Sequence, residues 1–100
     1  MKHNLQIKDQ VKLQGHIWTV QAISERYCIL TKPSRSHKTV WYTIFDFQRG
    51  VRGPHDLIFN PYNFKLLEDL SQCLNDLLCG IIEVSYKNSL PLEEFHVIKN

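Results

Sequence analysis

The residues best equipped for chemistry crowd into one stretch near the middle of the chain. Arg49, Arg52, His55 and Asp56 occupy the segment RGVRGPHD, residues 49–56. Guanidinium groups beside glycines can present planar forks to phosphate or carboxylate. Glycine also lets backbone N–H groups close on an anion. The spacing is not that of a P-loop, since no Gly-Lys-Ser/Thr follows, nor that of a dinucleotide fingerprint. His55 beside Asp56 offers acid–base groups, with Arg52 to hold an anionic intermediate. Adjacent side chains seldom aim at one atom, however, and no nucleophile–base spacing accompanies them. The chain is therefore expected not to be an enzyme, with no catalytic residue and no cofactor. The plainer reading of the segment is a turn in which Arg52 pairs with Asp46 or Asp56.

A second group of polar residues lies just upstream. Lys32, Arg35, His37 and Lys38 fall in the connection KPSRSHK, residues 32–38. Set between two strands, it could touch a phosphate backbone. Tyr27, Trp41 and Tyr42 flank it, and exposed aromatic rings stack on bases. Trp41 shares a strand face with Phe45, and both are expected in the core. No metal site is expected. The five histidines are scattered, and no cysteine pair has the C-x₂-C spacing of a zinc ligand set. Cys28, between Tyr27 and Ile29, reads as a small apolar core residue.

These groups need elements to position them. Val11 and Leu13 alternate with polar residues, Gly15 marks a turn, and a second strand follows to Ser24 with Trp18, Val20 and Ala22 facing inward. Tyr27–Thr31 reads as a third strand. Thr39–Phe47 is the strongest, rich in the β-branched and aromatic residues that suit a pleated surface. The leucines from Leu66 to Leu78 follow helical spacing, so a helix is expected at about 63–79, capped by Asn60 or Asn63 and stopped by Gly80. Residues 81–86 and 90–98 read as returning strands, the latter an edge because of Pro91. The expected fold is α+β: a small curled or barrel-like antiparallel sheet with one amphipathic helix packed across it.

A chain of 100 residues sets a single domain, with residues 1–9 expected to be mobile or to form a loose first strand. Apolar content of 43% and charged content of 22% are those of a folded protein. An odd cysteine count argues against a disulfide framework. No apolar run reaches signal-peptide or membrane-span length, so a cytoplasmic protein is expected, with no membrane partner. Charge is uneven. Residues 1–59 hold nine Lys/Arg against four Asp/Glu, and residues 60–100 hold three against six. A basic front of this kind can steer a polyanion to one face.

One pattern extends across much of the chain. An aromatic strand ends in Asp46, followed by Gly50-Val51-Arg52-Gly53-Pro54, Leu57-Ile58-Phe59, a helix, Gly80 and Glu83-Val84-Ser85. Over residues 38–92 this resembles a family of small phage and prophage proteins. Lys87 stands where that family has arginine, and the helix is about one turn longer. The resemblance implies a phage accessory protein that acts by binding a host protein or ribonucleoprotein complex, as an anti-CRISPR-like inhibitor of host defence in the host cytoplasm. The partner-binding residues would be Arg49, Arg52, His55, Asp56, Tyr42 and Tyr62, with Trp18 or Trp41 as a further anchor. The alternative is a nucleic-acid-binding module that meets phosphates through Lys32, Arg35, His37, Lys38, Arg49 and Arg52. An exposed strand edge would also permit a homodimer.

Overall fold

The computed structural model describes residues 5–13, 15–36, 39–53, 56–57, 62–92 and 96–98. Within them the elements run β1 (Gln10–Leu13), β2 (His16–Ile23), β3 (Tyr27–Pro33), β4 (Val40–Asp46), β5 (Val51–Arg52), β6 (Asp56–Leu57), α1 (Leu67–Cys79), β7 (Val84–Ser85), β8 (Leu90–Pro91) and β9 (His96–Ile98). One antiparallel sheet has the order β8-β5-β4-β3-β2-β1-β9, while β6 pairs with β7 apart from it. The outer two strands show why the sheet must curl. Pro91 and His96 lie on opposite edges, yet five residues reach at most about 18 Å. The edges of a flat seven-stranded sheet would stand about 29 Å apart at a spacing of ~4.8 Å. The result is a half-barrel with one helix, an α+β architecture.

Strand alternation gives the sheet two cores. Val11, Leu13, Val20, Cys28, Leu30, Phe45 and Phe47 fill the concave side, joined by Leu5. Ala22, Tyr27, Ile29 and Ile44 meet Leu70, Cys73, Leu74 and Leu77 of α1 on the other. Each fully buried branched side chain here contributes roughly 1.5–3 kcal/mol. A β-bulge explains how β2 serves both. Val20 pairs with Leu30 but Ala22 pairs with Ile29, so Gln21 is the extra residue. Beyond the bulge the faces exchange, and Ala22 no longer shares the side of Trp18 and Val20. Leu5 is buried, and Lys8 N–H donates to Val20 O at 2.8 Å, so residues 5–9 are tied to the sheet; residues 1–4 of the expected mobile start lie outside the described residues.

The helix starts later than its leucine spacing suggests. Asn63 Oδ1 accepts the Lys65 N–H at 3.1 Å, closing a local turn. Leu66 is extended (φ −100°, ψ 125°), so the helix begins at Leu67. Asp69 in its first turn accepts the Asn63 N–H at 2.7 Å. Asn60, the other expected cap, lies outside the described residues. Gly80 ends the helix in the left-handed region (φ 75°), as expected. Ile81 N–H donates back to Asp76 O at 2.9 Å, which withholds residue 81 from the following strand and shortens that strand to Val84–Ser85. No helix among the described residues is long and apolar enough to cross a membrane.

Candidate functional site

Two polar clusters sit at opposite ends of β3. At its C-terminal end, Lys32 stands between two indoles. Its Nζ lies 5.1 Å from the Trp18 ring centroid and 4.7 Å from that of Trp41. The arrangement follows from register: Lys32 and Trp41 are direct cross-strand partners. Trp18, on β2, packs at the margin of the concave core. A cation over an aromatic face contributes about 0.5–1 kcal/mol at an exposed site, so the ammonium favours this placement of both rings.

Trp41 is nevertheless 57% exposed and Ile17 52% exposed. The alternation that places Phe45 in the core carries Trp41 to the open mouth of the half-barrel, which corrects the expectation that both are buried. The mouth opens into a cavity lined by His16, Ile17, Lys32, Ser34, Arg35 and Trp41 among others, with no carboxylate among the described lining residues. Ser34 N–H donates to Thr39 O at 3.1 Å and closes the loop that presents Arg35 to solvent. A flat apolar ring, an ammonium beside it and an exposed guanidinium together can stack a planar group and neutralise an anion.

The second cluster is built around Asp46, whose side chain is 1% exposed. Its Oδ1 accepts the backbone N–H groups of Gln48 and Arg49, each at 3.1 Å. Its Oδ2 accepts the Tyr86 hydroxyl at 2.6 Å and lies 3.5 Å from Arg26 Nη2. Burial alone would raise the carboxyl pKa. The hydrogen bonds from Tyr86, the Arg49 N–H and Arg26 outweigh it and hold the group below the usual carboxylate range. Burial and then the Asp46 bond push the Tyr86 phenol up from its ordinary value. Arg49 lies over the Tyr86 ring at 4.2 Å. This cluster ties the β4–β5 turn to the chain beyond the helix.

The expected site residues are dispersed. Arg52 is 5% exposed and donates to Gly53 O at 3.4 Å, so it offers no fork to a partner. The ion pair of Asp46 is made with Arg26 and not with Arg52. Tyr42 is half-buried and stacked on Phe64, with centroids 4.1 Å apart. Tyr62 donates to the Asp76 carboxylate, and burial followed by that bond raises its phenol pKa. Arg49 is exposed but lies over Tyr86. Asp56 pairs with Ser85 through the backbone. His55, His37 and Lys38 lie outside the described residues. Lys32 and Arg35 are thus brought to the barrel mouth. The sequence reading missed Trp18 as a partner of Lys32, because their proximity depends on the β2–β3 pairing. Neither a family model, nor a curated protein, nor a solved structure matches the chain.

Proposed function

We propose that the protein is a non-enzymatic nucleic-acid-binding module that takes a single strand at the mouth of the half-barrel. Trp41 stacks on a base, while Arg35 and Lys32 meet the flanking phosphates. The observation that carries this reading is an indole more than half exposed, steadied by an ammonium, in a cavity with no described carboxylate. Base stacking on an aromatic side chain is worth about 1–3 kcal/mol and tolerates any base. The helix, laid across the sheet on its buried face, holds the strands that set the two indoles apart. The acidic residues concentrate in the later half of the sequence, so the low net charge of +2 understates the basic character of the mouth.

A second reading has its own support. Exposed Ile17 beside Trp41 could anchor a host protein or ribonucleoprotein complex, as an inhibitor of host defence would need. It is the weaker of the two because Arg52, Tyr42 and Tyr62 are engaged within the fold. Either role would be exercised in the host cytoplasm.

The test is fluorescence anisotropy with a labelled oligothymidylate of about 12 nucleotides, within the site size of small barrel binders. Two phosphate contacts predict a slope of log K against log salt of about −1.4. Absence of binding at low salt would refute the reading. So would binding that ignores salt.

A further inference from the structure

A second notch adjoins the mouth and shares Lys32 and Pro33 with it. Thr19, Gln21, Thr31, Val40, Phe64 and Lys65 complete its lining, again without a described carboxylate. The cavities are continuous around the sheet's end, since Ile17 of the mouth and Thr19 of the notch share a face, but the Trp41 ring and the Thr31 side of the notch lie on opposite faces. Thr31 and Lys32 are successive residues of a strand, so their side chains point to opposite sides. Pro33 therefore stands at a rim between a face bearing Trp41 and a face bearing Thr31 and Lys65.

The second notch is polar where the first is aromatic. Gln21 is the bulged residue of β2, without a direct partner in the β2–β3 register. Bulges re-aim side chains and gather beside binding sites. A glutamine amide offers both a donor and an acceptor to a base edge. The threonine hydroxyls add either, and Lys65 adds a cation for phosphate. At about 290 Å³ the notch is at the small end of ligand sites, which suits one base and not a folded ligand.

We infer that this notch is a second nucleotide subsite, occupied by the same strand that stacks on Trp41 and bends over Pro33 to reach Gln21 and Lys65. The inference rests on the nucleic-acid reading and adds a geometric demand to it. A chain that turns from one face of a sheet to the other within a few nucleotides must be flexible. Duplex DNA, stiff over ~150 base pairs, cannot make that turn. The ligand class is single-stranded, and the notch supplies whatever base preference exists.

The experiment compares labelled oligothymidylates of about 4 and about 12 nucleotides, both within the site sizes of a small barrel, on wild type, Gln21→Ala, Lys65→Ala and Trp41→Ala. A duplex of the longer length serves as competitor. The longer strand should bind more tightly, and the duplex should compete poorly. Lys65, as a third phosphate contact, steepens the slope expected of the mouth alone from about −1.4 to about −2.1, so Lys65→Ala should flatten it by about 0.7, and Gln21→Ala should shrink the length advantage. If both of these bind the longer strand as wild type does while Trp41→Ala loses it, the second subsite is refuted and the mouth remains the site. A duplex that competes as well as the single strand also refutes the bend. If Trp41→Ala binds as wild type, or if nothing binds, the underlying reading falls and the second subsite with it.

Discussion

Tyr86→Phe removes one hydroxyl from the network around the buried Asp46 carboxylate and leaves its ring beneath Arg49. The bond lost to the carboxylate is the 2.6 Å donation to Asp46 Oδ2, and the hydroxyl's weaker hydrogen bond with Tyr27 goes with it. That oxygen would keep Arg26 at 3.5 Å, while Oδ1 keeps two backbone donors at 3.1 Å. A hydrogen bond to a charged group is worth about 1.5–3 kcal/mol, and the lower end applies because Tyr86 is half-buried. At ~4–8 °C per kcal/mol for a domain of this size, the melting temperature at neutral pH should fall by roughly 6–12 °C. The sign of the pH dependence follows from the depressed Asp46 pKa. Its stabilisation is present above the unfolded value of about 3.9 and is lost as pH falls through the lower folded value. The deficit of Tyr86→Phe should therefore be full at neutral pH and shrink below about pH 4. Urea denaturation followed by circular dichroism on both sides of that value gives the comparison. A variant as stable as wild type at neutral pH, or an equal deficit in acid, would refute the role given to this bond.

Other consequences are open to direct test. Burial pushes the Cys28 and Cys73 thiols up to about 12, whereas Cys79 is exposed. A thiol reagent at mildly alkaline pH should modify one cysteine in the folded protein and all three in denaturant. Gly80→Ala should cost about 1 kcal/mol, the left-handed penalty of an L-residue, since an added Cβ meets nothing within 4 Å and no packing term enters. Denaturant titration measures it. Arg52→Ala should lower stability by roughly 1–3 kcal/mol, because a buried side chain is truncated. An unchanged unfolding midpoint would return Arg52 to the candidates for a surface contact.

The parts of this fold that were legible in the sequence are those set by local periodicity. The β1–β2 hairpin, β3, β4, the leucine stripe of α1 and its glycine stop all follow from neighbouring residues. What escaped depends on distant partners. Asp46 reads as a polar strand end, and nothing nearby points to Tyr86, forty positions on, as its hydroxyl donor. The chain after Ser89 reads as one edge strand. It divides instead into β8 and β9, which close opposite edges of the curled sheet. Trp41 shows why the candidate site was only half visible. Its alternation with Phe45 is correct, but one face of a half-barrel strand runs from core to open mouth. Burial at position 45 therefore does not carry to position 41. Gln21 was hidden for a similar reason, since a bulge breaks the two-residue period that defines strand faces.

The nucleic-acid reading is tested most directly by Trp41→Ala. The side chain is 57% exposed, so the variant should fold, and its melting temperature serves as the control. Loss of one stacked base predicts that affinity for a single-stranded oligothymidylate falls roughly 5- to 150-fold. Wild-type indole fluorescence should be quenched as the strand binds. An affinity unchanged by the substitution, in a folded variant, would contradict the account.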